Sequence, residues 1–257
     1  MKKFGLVLAA LVFLAGCAAD RSNEGLYQVS TLQALMQGNY DGETQVCELQ
    51  ERGDTGIGTF DALEGEMIII NGQVYQARVD GAVLTVTDNH TPFANAASIA
   101  GAESCELSFN SGFDSLKQAL TDNFAGENYP WVFRIDGTFE NVKFRSVPKQ
   151  TKPYPPLAEA AKKQVVFHKD KACGSIVGFR FPEYFGGINV TGYHLHFISD
   201  DRSFGGHLLD IGSGQASARG KLLASLDLEL GNSMLGYKHG ATTAEEIEAV
   251  EQVKTTD

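Results

Sequence analysis

The sequence predicts an α+β fold that is rich in β-strands and contains a few short helices. Apolar runs separated by Asn-Gly or Asp-Gly dipeptides, which favour tight turns, recur between residues 56 and 147. Apolar residues at helical spacing occur in short segments only. The composition, with 43% hydrophobic and 21% charged residues among 257, is that of a globular protein with a substantial core.

Turn and cap signals define the elements of the first half of the chain. Ser30–Met36 is predicted to be a short helix that begins at a polar capping residue. Tight turns between paired strands are expected at Asn71-Gly72, at Asp80-Gly81 and at Asp136-Gly137. Apolar residues at helical spacing predict a further helix at Phe113–Phe124.

Three prolines between residues 153 and 156 mark the candidate boundary between two lobes, 27–152 and 153–257. Leu157–Gln164 follows them and resembles a helix that is opened by proline. The remaining predicted elements are strands at 175–181, 188–197, 207–211 and 222–230 and a polar helix at 244–253.

The chain begins with the pattern of an export signal. Two lysines precede a short apolar run, Phe4–Leu14, which is too short to span a bilayer. The segment Leu14-Ala-Gly-Cys17 is typical of a lipoprotein signal-peptidase site. We therefore predict a signal peptide at 1–16 and a polar tether at 17–26. The protein is then exported, and the lipid on Cys17 is its only link to a membrane. An ordinary secretory signal is the alternative.

Charge and cysteine content limit the partners of this chain. The formal net charge is −11 and no basic run occurs, which argues against nucleic acid as a partner. An acidic protein that binds an anion needs a local cation or a metal. Cys47, Cys105 and Cys173 contain no CxxC pair, and two of them could form a disulfide in an oxidising compartment. Cys47 and Cys105 both lie in the N-terminal half, but their spacing does not determine which of the three cysteines is free.

Three of the six histidines fall within fourteen residues, in the segment Gly192–His207. On a strand, His194 and His196 point to the same face. If the chain reverses near Asp201-Arg202, residues whose numbers sum to about 403 oppose each other, which places His207 opposite His196. The two glycines before His207 could bulge the strand and change this register. Three converging imidazoles suit zinc or another first-row divalent metal.

Two other interpretations of the histidines are less favoured by the sequence. Each histidine alone is more often a structural residue than a metal ligand. In a cupin-type site, three or four residues separate the HxH pair from a glutamate ligand, and Phe197–Asp201 contains no glutamate. The combination of HxH with a third histidine across a chain reversal therefore favours a metal site.

Several segments, taken in order along the chain, match one known family. They are the GTFxxLxGE segment ending at Glu66, then Arg134–Gly137, Arg145, Tyr154, the GYHLHF segment at Gly192–Phe197 and the GGH segment at Gly205–His207. These segments resemble bacterial α-acetolactate decarboxylase. The resemblance implies a two-lobed structure with a mixed sheet in the N-terminal lobe. A mainly antiparallel sheet in the C-terminal lobe would carry the metal site. It also implies conversion of 2-acetolactate to acetoin and carbon dioxide, and a homodimer.

The resemblance also implies which residues form the site. Zinc, or another divalent metal, would be held by the three histidines, and Glu66 and Arg145 would lie beside it. A second family glutamate near the C-terminus matches Glu251. The neighbouring Glu245, Glu246 and Glu248 are alternatives for that match. Loss of carbon dioxide leaves charge that a metal Lewis acid can stabilise as an enediolate. Arg145 would then bind the substrate carboxylate, and a glutamate would bind the ion or handle a proton.

Two other functions stay open from the sequence. One is a related metal-dependent decarboxylation of another small keto acid. The other is a surface lipoprotein that binds a metal or a ligand without turnover.

Overall fold

The structure is a computed structural model that describes residues 25–236 and 243–251. Two large sheets, one of seven strands and one of six, pack against each other. The predicted signal peptide, 1–16, and most of the predicted tether, 17–26, lie outside the described residues. Leu26, the last residue of that tether, is already buried in the first strand. Within the described ranges, no helix has the length and apolar character needed to cross a membrane.

The first sheet is mixed, as predicted. Its strands are β1 (Leu26–Val29), β3 (Thr55–Thr59), β4 (Glu66–Ile70), β5 (Gln73–Ala77), β6 (Val83–Thr85), β8 (Ala94–Ala97) and β15 (Leu226–Glu229). They lie in the order β15-β1-β8-β3-β4-β5-β6, and β1 and β15 are parallel. The turn at Asn71-Gly72 is confirmed, with left-handed φ angles of 53° and 71°. The turn at Asp80-Gly81 joins β5 to β6, also as predicted. The short strands β2 (Thr44–Gln45) and β7 (His90–Thr91) form a separate ribbon.

The second sheet is antiparallel in every described pairing. Its strands are β9 (Glu103–Phe109), β10 (Trp131–Ser146), β11 (Val165–Phe181), β12 (Gly192–Ser199), β13 (Gly205–Asp210) and β14 (Ser213–Leu222). Their order is β11-β12-β13-β10-β14-β9, and β10 also pairs with β11. The four strands β10 to β13 therefore form a closed ring. The α+β class predicted from the sequence is confirmed.

Four of the helices correspond to predicted ones, and the two that follow Thr31 and Pro156 are shorter than expected. The helices are α1 (Leu32–Met36), α2 (Val46–Arg52), α3 (Gly112–Asn123), α4 (Leu157–Ala161) and α5 (Ala244–Glu251). Single 3₁₀ turns lie at Asp61–Leu63, Glu183–Phe185 and Asn232–Gly236. The α1 cap is the Thr31 hydroxyl, which accepts from the Ala34 N–H at 3.2 Å. The helix α2 was not predicted, although it begins with a capping box between Gln45 and Glu48.

The turn predicted at Asp136-Gly137 is wrong, because both residues lie within the continuous strand β10. Gly137 pairs with Gly174 of β11 on one side and with Ala216 of β14 on the other. A Cβ atom at this position would come within 2.4 Å of the Gln215 carbonyl oxygen. The glycine is therefore required by the close approach of β14 and not by a turn.

The division between the sheets does not coincide with the predicted lobe boundary at residue 153. The strands β9 and β10 precede that residue but belong to the second sheet, and β15 returns to the first sheet. The cause is the long strand β10, which pairs with β11, β13 and β14 and so ties the middle of the chain to its last third.

Apolar layers on both sides of the sheets form the core. Between the two sheets, Ile57 and Ile68 of the first sheet pack with Val177 and Ile198 of the second. The helix α3 covers the other face of the second sheet, and α2 covers the other face of the first. The helices α1, α4 and α5 form a further cluster with Leu63, which precedes β4, and with Val147, which follows β10. This cluster covers the region where the predicted site residues meet.

The structure contains no disulfide among the described cysteines. Cys47 lies on α2, which covers the first sheet, whereas Cys105 lies on β9 of the second sheet, and both are free thiols. Cys173, on β11, is free and exposed as well. The pairing considered for Cys47 and Cys105 is not formed.

Candidate active site

The hairpin of β12 and β13 brings the three histidines together. His196 lies directly opposite His207, and the neighbouring pairs keep the sum of 403, so the predicted register is confirmed. The ring centroids are 5.2 Å apart for His194 and His196, 5.0 Å for His194 and His207, and 5.3 Å for His196 and His207. The irregularity lies on the other side of β13, where its register with β10 shifts between Lys143 and Phe144.

Alternation along β12 separates the histidines from the apolar core. Leu195 and Phe197 belong to the cluster beneath α3, whereas His196 faces β4 of the first sheet. The His196 Nδ1–H donates to the Met67 carbonyl oxygen at 2.8 Å. A carbonyl oxygen only accepts, so this contact fixes the tautomer and leaves a lone pair on Nε2.

The donor set fits a divalent metal. One nitrogen from each of the three histidines can be chosen so that all three lie within 4.8 Å of one another. His194 Nδ1, His196 Nε2 and His207 Nδ1 are buried and have no hydrogen-bond partner. Such atoms are costly unless an ion or a water satisfies them. The three buried histidines can therefore hold a metal ion.

Burial keeps these imidazoles neutral. Together with the charge of the nearby Arg145, it lowers the pKa of His194 to about 3. Burial also lowers the pKa values of His196 and His207 well below the ordinary value. A neutral imidazole is the form that binds a metal, so no proton has to leave before binding near neutral pH.

Two carboxylates lie beside the histidines, as the resemblance implied. Glu66, the first residue of β4, places Oε2 3.8 Å from His196 Nε2. Glu251, the last residue of α5, places Oε2 3.6 Å from His207 Nε2 and 3.9 Å from His194 Nε2. Burial raises the pKa of each carboxyl group to about 7, although Arg145 opposes the shift in both cases.

A strained loop places Glu66 at the start of β4. The Thr59 hydroxyl donates to the Gly65 carbonyl oxygen at 2.8 Å and so closes the loop between them. Ala62 and Leu63 have left-handed φ angles of 57° and 62°, which cost free energy for residues with a Cβ atom. Leu63 lines the cavity next to the histidines. The GTFxxLxGE segment therefore forms both a carboxylate support and an apolar wall.

Arg145 lies on β10, directly opposite His207 of β13. A Cβ atom at Gly206 would come within 2.2 Å of the Arg145 carbonyl oxygen, so the GGH segment allows β13 to approach β10 closely. The Arg145 Nη1–H donates to Gln164 Oε1 at 2.8 Å. Gln164 is not among the site residues predicted from the sequence. The pairing of β10 with β11 brings Gln164 next to Arg145. The turn predicted at Asp136-Gly137 is incompatible with that pairing.

The six predicted site residues line one cavity between the sheets. Its apolar wall comes from α1, α4, α5 and neighbouring strands and consists of Leu32, Leu35, Leu63, Phe93, Val147, Leu157 and Val250. The cavity therefore combines an apolar wall with one cation, three imidazoles and two carboxyl groups.

The fold and the site define an α+β protein with a buried three-histidine site beside an arginine and two carboxyl groups. A family model described as alpha-acetolactate decarboxylase matches residues 26–239. The chain belongs to the α-acetolactate decarboxylase family, and the predicted resemblance is confirmed. As a member of this family the chain is an enzyme, also as predicted.

Relatives and a solved structure agree with this assignment. The α-acetolactate decarboxylase of Methanosarcina mazei is 40% identical over 237 residues, which cover 91% of this chain and 82% of the relative. That of Bacillus licheniformis is 37% identical over 215 residues, 83% of this chain and 85% of the relative. The crystal structure of α-acetolactate decarboxylase from Bacillus subtilis strain 168 has a TM-score of 0.85 and 34% identity, covering 89% of this chain and 99% of that one.

Proposed function

We propose that this chain decarboxylates 2-acetolactate to acetoin and carbon dioxide, with a divalent metal held by His194, His196 and His207. One observation carries the proposal. Three buried, neutral histidines with unpartnered nitrogens share a small cavity with the buried Arg145. The names of the relatives support the choice of substrate.

Arg145 binds the substrate carboxylate by charge-assisted hydrogen bonds, and the apolar wall contacts the two methyl groups. A divalent cation on the histidines, zinc by default, supplies a Lewis acid for the enediolate charge that departing carbon dioxide leaves on the ketone oxygen. The cavity is buried between the sheets and excludes most water, which strengthens these electrostatic contacts.

The reaction consumes one proton, because the carbon that loses carbon dioxide gains a hydrogen in acetoin. Glu66 and Glu251 are the carboxyl groups next to the histidines, and in the metal-free protein burial raises the pKa of each to about 7. We propose that this pair holds the proton and delivers it to one face of the substrate. Delivery from one side gives a single enantiomer.

The test is carbon dioxide release and acetoin formation from racemic acetolactate by purified residues 18–257, before and after chelation and restoration of zinc. We expect turnover that is lost with the metal and regained with it. Turnover of other β-keto acids but not of acetolactate would favour a related decarboxylase. A stoichiometric metal without any turnover would favour a binding protein.

We also propose export, a lipid on Cys17 and a homodimer, which rest on the sequence pattern and on the resemblance alone. Cys17→Ala should move the protein from the membrane fraction to the soluble fraction of exported material. An unchanged membrane fraction would contradict the lipid. Light scattering of residues 18–257 measures the mass, and a monomer would contradict the homodimer.

A further inference from the structure

Arg145 is a buried cation without an acidic partner in the described part of the chain. Arg145 is 5% exposed, and no described carboxylate oxygen lies within 4.0 Å of its guanidinium nitrogens. Buried arginines are ordinarily paired with carboxylates. Here the side chain has a neutral partner, the Gln164 amide oxygen at 2.8 Å, and its Nε has no partner.

The pairing of β10 with β11 explains the position of Gln164. Arg145 lies opposite Val166 in this ladder, and Gln164 lies two residues before Val166. Residues two apart on an extended chain point to the same side, so Gln164 is a diagonal neighbour of Arg145. The Gln164 N–H donates to the Ala161 carbonyl oxygen at the end of α4, which fixes the backbone of Gln164. Gln164 is therefore held by its backbone contact with α4 and by its side-chain contact with Arg145 of β10.

We propose that Gln164 is a positioning residue that fixes the Arg145 guanidinium and leaves its positive charge free for the substrate carboxylate. This inference rests on the proposed function. An amide oxygen accepts a hydrogen bond without neutralising the arginine. A glutamate at 164 would bind the guanidinium more strongly but would compete with the substrate carboxylate for the same charge. The neutral side chain at this position then sets the specificity for an anionic substrate.

The two variants Gln164→Ala and Gln164→Glu separate this role from a structural one. If Gln164 only supported the fold, Glu would retain the contact and restore function better than Ala. If Gln164 keeps the charge free, Glu is the more harmful of the two. Gln73→Glu is the matched control, because Gln73 is half-buried like Gln164 and bonds only to the Val74 carbonyl oxygen.

The experiment uses zinc-loaded protein and measures the Kd of 2-hydroxy-2-methylpropanoate, an unreactive α-hydroxy carboxylate, by calorimetry. KM and kcat for acetolactate and bound zinc are measured on the same samples. We expect Kd and KM to rise about tenfold in Gln164→Ala and about a hundredfold in Gln164→Glu. We expect a smaller change in kcat, unchanged zinc, and no change in Gln73→Glu.

Binding by Gln164→Glu that equals the wild type, or exceeds that of Gln164→Ala, would overturn the proposal. If Gln164→Glu fails to fold, wild-type affinity in Gln164→Ala would overturn it instead. The proposed function is tested separately by the wild-type protein. Absent acetolactate turnover there contradicts the function, whereas normal turnover with an unaffected Gln164→Glu contradicts only the role of Gln164.

Discussion

Replacing Glu66 by glutamine should stabilise the metal-free protein while it impairs the enzyme. Glu66 has a side chain that is 9% exposed, and its carboxylate lies next to His196 at the centre of the molecule. Ionising this carboxyl group without a metal places a negative charge in a poorly solvated position. Glutamine has nearly the same shape and no charge, so it removes that cost.

The raised pKa gives the magnitude of this effect. Burial raises the pKa of Glu66 from 4.5 to about 7, and each pKa unit corresponds to about 1.4 kcal/mol. The folded protein therefore holds this proton more tightly than the unfolded chain. The resulting loss of stability is absent below about pH 4.5, grows between pH 4.5 and 7, and is complete above pH 7. The upper limit is about 3 kcal/mol, and a buried glutamine amide with imperfect hydrogen bonds reduces the expected gain to about 2 kcal/mol.

Urea unfolding of chelated wild-type and Glu66→Gln proteins at pH 8.5 and pH 5 measures the difference. We expect a gain of about 2 kcal/mol at pH 8.5 and less than about 1 kcal/mol at pH 5. Glu64→Gln is the control, because Glu64 is 30% exposed and pairs with Lys149 at the surface, so its effect should stay below about 1 kcal/mol. Equal stability of Glu66→Gln and wild type at pH 8.5, or an equal gain at both pH values, would refute the reasoning.

The remaining predictions concern the metal, the arginine and the close approach of two strands. His196→Ala should lose both bound metal and turnover, whereas Arg145→Ala should keep the metal, measured by elemental analysis, and lose most turnover. Full metal content in His196→Ala would contradict the assigned ligands. Gly206→Ala forces a Cβ atom to 2.2 Å from the Arg145 carbonyl oxygen. It should therefore lower the free energy of unfolding by more than about 3 kcal/mol, and a wild-type melting curve would count against that geometry. Chelation should lower Tm by an amount that grows with the free zinc concentration before removal, and a Tm independent of zinc would argue against a metal bound to the folded state.

The histidine cluster could be predicted from local sequence because strand geometry is periodic. A strand has a side-chain period of two, and a hairpin pairs residues whose numbers have a constant sum, so the contact of His196 with His207 follows from the position of one turn. Glu66 and Glu251 could not be found in this way. They come from a different sheet and from α5, and their proximity depends on packing between distant elements. The resemblance to a known family supplied both.

The failures at Asp136-Gly137 and Gln164 have one cause. A glycine within an extended run signals either a turn or the close approach of another backbone, and the sequence does not distinguish these two demands. At Gly137 the reason is the close approach of the neighbouring strand β14. A turn at Asp136-Gly137 would divide β10, and a divided β10 excludes the ladder that places Gln164 next to Arg145.

The most direct test of the central claim is a titration of the chelated, purified protein with zinc while acetoin formation from acetolactate is measured. In the wild type, turnover should rise linearly and stop rising at one zinc per chain, and in His196→Ala it should not rise. Full turnover before any metal is added, or none at one bound zinc per chain, would contradict that claim.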